Sequence, residues 1–455
     1  MTATAGRSLG DEPPMTSSRR SVMPAAVQLA NHACLVMDMG GLRIVTDPWL
    51  EGAVFGDSWE LLAPSPTTLA ELAPDFIWLS HEHPDHFSPR TLRSVPQADR
   101  DRITILYRTT STRAVVDYCE SLGYRTRELE PGARFRLSPQ VTGEVGVVAE
   151  DSWLYVTDGD RSVLNVNDCR LGDRSALRDI RARLGPVDLL ATQFGYANWA
   201  GNVGDPTTPD VAQAIIKRQL RAQLEELGAG AVLPFAAFIW FCHEENDWWN
   251  DFAPTISSMA RWMSDLSPVV VLAPGDRWQI GTHHDNAHAL DTWQRWAASL
   301  DTRRRYAADG VTLAALVEQF SAMKAFLVSQ NDWPRFVQDA TGRLDPAIIH
   351  VTDLDVCLSY DLLSGLTVVD PGTQWDVALS SAALSVVMQH PWGRGTLTIS
   401  GRFQASSTFD RFLSQAHLYF MNNTGRSYPR DIAIDDVLVP GGIMAELLPS
   451  LSGSR

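Results

Sequence analysis

Cysteine is scarce in this sequence and never paired. The 455 residues hold five, Cys34, Cys119, Cys169, Cys242 and Cys357, and no two stand in a C-x-x-C spacing. That excludes a Rieske cluster within these residues, since such a cluster draws on paired Cys and His ligands, and it points to a reducing cytoplasm without structural disulfides. Basic residues are short as well: Lys+Arg number 38 against 54 for Asp+Glu, a net charge of −16. Nucleic acid and anionic membrane are disfavoured as main partners, because phosphate binding needs a basic footprint; a few arginines still suffice for a small anion. No run approaches ~18 consecutive apolar residues, so no transmembrane helix is expected. Residues 1–21 are polar, and no apolar stretch follows Arg19-Arg20, so they read as a disordered tail and not as a signal peptide. No internal repeat is visible. With 45% hydrophobic and 20% charged residues, a packed core is expected, and the length allows two or three domains.

Histidine is thinly spread, 11 in all, yet three fall within six residues. The apolar run 75–79 reads as a buried strand, and Ser80-His81-Glu82-His83-Pro84-Asp85-His86 follows it directly. Imidazole nitrogen and carboxylate oxygen are ligands that Zn, Fe and Mn share. His81 and His83, two apart on an extended segment, can face one ion; Asp85 and His86 can then turn toward a second. A polar strand end is the plain alternative, but four candidate ligands at this spacing outweigh it.

The rest of the chain alternates strands and helices up to about residue 285. Residues 26–39 and 42–45 read as two strands joined at Gly40-Gly41, a hairpin signal. A short helix over 67–73 is capped by Thr67 or Thr68, a helix over 112–122 ends at Gly123, and 209–227 carries an amphipathic pattern. Strands are expected at 133–148, 152–157, 162–168, 187–193 and 231–235. Potential ligands recur at strand ends, the arrangement by which a scaffold carries chemistry on its loops. Beyond 285 the character changes. Residues 286–345 read as a helical linker. Residues 346–455 read as a smaller α+β domain with few candidate ligands, with strands that include 395–400 and helices at 375–387 and 408–419. Its region 386–403 weakly resembles sterol-carrier-type domains; a capping or dimerisation module is the commoner reading, which makes a homodimer an expectation.

The H-x-H-x-D-H arrangement resembles the metallo-β-lactamase fold superfamily. Asn31-His32-Ala33-Cys34, Thr46-Asp47-Pro48-Trp49-Leu50 and Leu164-Asn165-Val166-Asn167-Asp168-Cys169 resemble the catalytic domain of CMP-N-acetylneuraminate hydroxylase. By its type of metal site the chain also resembles the diiron β-hydroxylase of chloramphenicol biosynthesis. The resemblance covers roughly residues 25–285, within one catalytic domain expected over 22–285, and implies an α/β fold, an αββα sandwich of two sheets, where the alternation of strands and helices alone would equally allow a doubly wound fold. It implies His81 and His83 on the first ion, Asp85 and His86 on the second, Asp168 as the bridge and His243 closing the second site. Asp47 is expected to orient the metal loop and His32 to sit behind it. The chain departs from the superfamily at the third ligand of the first ion, since no histidine lies between 125 and 160. Glu144, Glu150 and Asp151 are the candidates, with Glu144 slightly favoured and both glutamates kept. Tyr196, Asn198, Trp199 and Asn246 are expected around a substrate pocket.

An oxygen ligand in place of nitrogen favours Fe or Mn over Zn. The expected function is therefore a non-haem diiron oxygenase, oxidising a small biosynthetic molecule with O₂ and an external electron donor. The alternative is a binuclear hydrolase working on Zn or Mn.

Overall fold

The computed structural model describes residues 24–195, 198–205 and 208–438. The expected tail 1–21 and Tyr196 lie outside the described residues. Strands β1 (Ala26–Asn31) and β2 (Cys34–Met39) are separate where the sequence reads as one. The break has a local cause. The Asn31 side-chain oxygen accepts the His32 N–H, and His32 takes a positive φ of 37°, so the chain reverses there. Gly40 and Gly41, with φ of 54° and 81°, form the tight turn into β3 (Leu42–Thr46), as a primed hairpin turn requires.

The first unit continues through β4 (Trp59–Leu61), β5 (Phe76–Trp78), β6 (Thr104–Arg108), β7 (Arg125–Leu129), β8 (Arg134–Arg136) and β9 (Thr142–Val148). It ends with β10 (Asp151–Thr157), β11 (Ser162–Asn167), β12 (Leu189–Gln193), β13 (Ala231–Phe235), β14 (Ile239–Phe241) and β15 (Arg277–Gln279). One sheet has the order β15-β1-β2-β3-β5-β6-β7 and the other β13-β12-β11-β10-β9-β8. Their inner faces share one core, in which Met37, Trp78 and Leu106 meet Val156, Leu164 and Leu190. The outer face of the first sheet, with Val36, Val45, Ile77 and Ile105, is covered by the helices Leu69–Leu72, Pro89–Ser94 and Ala114–Ser121. The helices Arg174–Leu184 and Thr208–Leu227 cover the second. The result is an αββα sandwich, as the sequence led one to expect. Thr68 caps the first helix: its hydroxyl accepts the Glu71 N–H, and the Glu71 carboxylate accepts the Thr68 N–H in return.

Trp78 is fully buried between the sheets, one turn of chain before the histidine loop. Trp78→Ala removes a large ring from a close-packed interior, at a cost of about 3–5 kcal/mol. In a thermal melt the transition should fall by roughly 10 °C. A shift of under about 2 °C would contradict this packing.

The second unit is a five-stranded sheet, β18-β17-β16-β19-β20, made of β16 (Ala347–Val351), β17 (Val356–Asp361), β18 (Gly365–Val369), β19 (Val377–Leu379) and β20 (Gln404–Ala405). The helices Leu313–Gln330, Ser381–Gln389 and Asp410–Asn423 pack on it around Phe320, Leu384 and Phe412. Several expectations change here. Residues 375–387 begin with β19 before the helix starts. The stretch 395–400, rich in β-branched residues, is part of the helix Gly393–Ser400. Packing overrides propensity there. Gly393 approaches Val386 so closely that a Cβ would lie 2.2 Å from the Val386 carbonyl oxygen, and Gly401 ends the helix at a left-handed φ of 65°. Residues 286–345 are divided between the cores: the helix Ala287–Ala298 puts Trp293 into the first, and Leu313–Gln330 puts Leu316 and Leu327 into the second. No helix among the described residues is long and apolar enough to cross a membrane.

Candidate metal centre

The histidine loop leaves the first sheet at the end of β5 and is tied down from both sides. Parallel pairing of β3 with β5 brings Asp47, just past β3, beside the loop. Its buried carboxylate accepts the Ser80 N–H at 2.7 Å and contacts His86 Nδ1 at 3.0 Å. From the second sheet, the Ser152 hydroxyl donates to the Ser80 carbonyl. The Ser80 hydroxyl lies 2.8 Å from His81 Nδ1. The contacts at His86 Nδ1 and His81 Nδ1 fix the back of each ring and leave its Nε2 toward the other candidate ligands, the role of partners behind metal-binding histidines.

Three overlapping groups result: His81, His83 and Asp151; His81, His86 and Asp168; His32, Asp85 and His86. Within each, the candidate ligand atoms lie within 4.8 Å of one another. His81 Nε2 is 2.8 Å from His83 Nδ1 and 3.7 Å from Asp151 Oδ1. His86 Nε2 is 3.3 Å from Asp168 Oδ2 and 3.5 Å from Asp85 Oδ2, and His32 Nε2 is 3.4 Å from Asp85 Oδ2. Strand register explains the meeting of the two aspartates. β10 and β11 are antiparallel with Leu154 opposite Asn165, so Asp151 at the start of one lies across from Asp168 just beyond the other. His32, Asp47 and Asn167 all carry positive φ (37°, 40° and 30°), an uncommon backbone state for such residues that concentrates where side chains must be aimed.

The electrostatics show what the groups lack. Burial pushes the Asp151 carboxyl up to about 6, with the neighbouring Asp168 adding to it. Burial, His86 and His83 hold His81 well below the usual imidazole range. Burial opposes charge on His86 too, but Asp168, Asp85 and Asp47 outweigh it and raise that ring. Both His32 ring nitrogens, Asp85 Oδ1, His86 Nε2 and Asp168 Oδ1 are enclosed without hydrogen-bond partners. Unsatisfied buried polar atoms are costly. Carboxylate and imidazole atoms converging on shared space are satisfied together by divalent cations, so the residues present fit two metal ions.

Several placements differ from the sequence reading. Glu144 stands apart from the groups: it is buried on β9, with its carboxylate 2.9 Å from Arg183 Nε and 3.7 Å from Arg134 Nε. Glu150 is exposed at the cavity that opens over the groups, belongs to none of them, and accepts from Arg108 through its backbone carbonyl. Asp151, one residue on and at the first position of β10, takes the place expected for either glutamate. His32 joins the inner group with Asp85, where it was expected behind it. His243 is in none of these groups; its Nε2 is buried without a hydrogen-bond partner, and Cys242 before it donates its N–H to the Ser58 carbonyl. Trp199 is a core residue of the second unit, stacked on Phe403 at 5.3 Å. Asn246 is fully buried and ties the units together through the Ser58 and Ser400 carbonyls. Asn198 does line the cavity over the metal groups. The break of the first strand at His32 was the missed signal: a polar Asn-His pair interrupting an apolar run.

That cavity, of about 720 Å³, opens over His83, Asp85, Asp151 and Asp168, with Phe55 and Trp59 as an apolar wall. Cys169, next to Asp168, is buried and its thiol is pushed up by burial, so it fills space as a neutral group. The glutamate and aspartate are separable by experiment. Asp151→Ala should lower bound metal by about one ion per chain, while Glu144→Gln should leave the metal content unchanged, as read by elemental analysis of the purified variants. The reverse pattern would contradict the placement.

Residues 26–148 match a family model described as a beta-lactamase superfamily domain. In sequence the chain is similar to cytidine monophosphate-N-acetylneuraminic acid hydroxylase of Cricetulus griseus, at 34% identity over 93 residues, 20% of this chain and 16% of that protein. It is 37% identical to the protein of the same name from Asterias rubens over 95 residues, 19% and 14% of the two chains. The matched segments thus span well under a fifth of those relatives. Among solved structures it is similar to CmlA, a diiron beta-hydroxylase from Streptomyces venezuelae, with 16% identity, 63% of this chain and 53% of that one covered, and a TM-score of 0.34. Igni18, a metallo hydrolase from Ignicoccus hospitalis, gives 13% identity, 57% and 100% coverage, and a TM-score of 0.39. The family match falls on the two-sheet unit, whose αββα fold is metallo-β-lactamase-like.

Proposed function

We propose that the chain is a non-haem diiron oxygenase that hydroxylates or otherwise oxidises a small molecule, with electrons from an external donor. The observation that carries this reading is Asp151. A carboxylate, where a nitrogen would suit zinc, sits beside His81 and His83 and makes the donor set harder and more negative, which favours iron or manganese. The sequence relatives named as hydroxylases support the same choice. His81, His83 and Asp151 would hold one ion, His32, Asp85 and His86 the other, and Asp168 would lie between them. Iron bound there supplies the activation of O₂. The chain's own part is positional. Asp47 and Ser80 hold the rings of His86 and His81, and Phe55 and Trp59 keep one side of the cavity apolar and restrict water. A cytoplasmic location fits the unpaired, buried cysteines.

The test is oxygen uptake. Iron-loaded, chemically reduced protein should consume O₂ in an oxygen electrode, and the metal-free protein should not. Absence of uptake by the iron form, with cleavage of nitrophenyl esters or phosphodiesters by the zinc form, would replace the oxygenase with the hydrolase.

A further inference from the structure

Although the chain is acidic overall, arginines gather on the cavity that holds the metal groups. Arg170, Arg174, Arg218 and Arg221 of the first unit line it, and so does Arg394 of the second. They differ in what they already touch. Arg174 is paired with Glu225 and Glu226, at 2.5 and 2.7 Å. Arg221 lies over the Trp262 ring. Arg170 and Arg218 are exposed and form no ion pair among the described residues.

Arg394 is the unusual one. It sits on the helix Gly393–Ser400, the segment that the second unit lays against the first: the Trp199 N–H donates to the Thr398 carbonyl, and Asn246 donates to Ser400. Its Nε is enclosed and has no hydrogen-bond partner, and no carboxylate among the described residues is within ion-pair distance. Its guanidinium packs 5.1 Å from the centre of the Phe420 ring, and burial lowers it to about 10. The neighbouring His417 offers no compensation: burial, and then Arg394 itself, bring that ring down to about 4, so it stays neutral. The Glu150 carboxylate on the same cavity acts on Arg394 from beyond ion-pair distance. A largely enclosed guanidinium with no ion-pair partner is costly, and its planar fork matches a carboxylate or a phosphate.

We propose that Arg394, with Arg170 and Arg218, binds an anionic group of the substrate, a carboxylate or a phosphate, so that the second unit completes the active site. Phe55, Trp59, Ile399 and Phe420 line the same cavity and suit an apolar body on that anion. The assignment rests on reading this cavity as the active site.

The test uses the full metal-loaded chain, titrated calorimetrically with inorganic phosphate and, separately, with succinate. Wild type should bind at least one of them. Arg394→Gln should weaken that binding at least tenfold and Arg394→Lys less, while Arg174→Gln should stay within twofold. Whichever titration loses affinity identifies the anion as phosphate or carboxylate. Equal affinity in wild type and Arg394→Gln, the result if the probes bind only the metals, overturns the proposal, as does wild type binding neither. If Arg394→Gln does not fold, Arg218→Gln and Arg394→Lys carry the same comparison. If the chain takes up no metal, the oxygenase reading fails by itself, and titration of the metal-free variants still reads the arginines.

Discussion

Asp168→Ala should abolish turnover, by a factor of about a thousand or more, and lower bound metal below one ion per chain. The side chain belongs to the group that shares a histidine with each of the other two, His81 with one and His86 with the other. One carboxylate oxygen is 3.3 Å from His86 Nε2, the other is enclosed without a partner, and Asp151 lies across the strand pair. Losing a shared ligand affects both ions at once, and several kcal/mol of lost charge stabilisation is a loss of that order in rate. The fold should survive, because Asp168 lies beyond the end of β11 and, apart from the contact to His86, is held through its backbone N–H, which donates to the Asn167 side chain. An Asp168→Ala protein that keeps about two ions and measurable turnover would remove Asp168 from the centre.

The second large effect is expected at Asp47, which touches no candidate ion. It accepts from the Ser80 N–H at 2.7 Å and contacts His86 Nδ1 at 3.0 Å, wholly shielded from water. Asp47→Ala leaves a buried backbone donor unpaired and frees the His86 ring. Metal affinity should fall by about 10–100-fold, the usual loss when the partner behind a liganding histidine is removed. Stability should fall by about 2–4 kcal/mol, from the orphaned donor, the lost contact to the His86 ring and the cavity left behind. Asp47→Asn keeps one acceptor and should recover part of both. Unchanged metal affinity in a chelator competition assay would contradict this role.

Much of this was legible in the residues. Strands alternating with helices allowed either a sandwich or a doubly wound fold, and the resemblance carried by the histidine loop and three further motifs decided for the sandwich. The loop from His81 to His86 announced itself by ligand density. What the sequence could not decide was which of several nearby carboxylates points inward. Glu144, Glu150 and Asp151 lie within one hairpin, and facing is set by pleat and register: Glu144 turns to Arg183 and Arg134, while Asp151 opens β10 opposite Asp168. His32 stood out as part of a polar Asn-His pair in an apolar run, but the reversal that brings its ring into the inner group shows only in the backbone, at a φ of 37°. The helix carrying Arg394 was obscured by its own Thr396, Thr398 and Ile399, β-branched residues that helical packing accommodates. His243 was placed by family pattern alone, and it is in none of the three groups.

Elemental analysis of the protein purified from iron-supplemented cells, with its optical spectrum recorded before and after reduction, tests the central assignment most directly. The account predicts about two irons per chain and a near-ultraviolet absorption that bleaches on reduction and returns with O₂. About two zinc ions, a colourless solution, and no change in metal content with iron supply would contradict it.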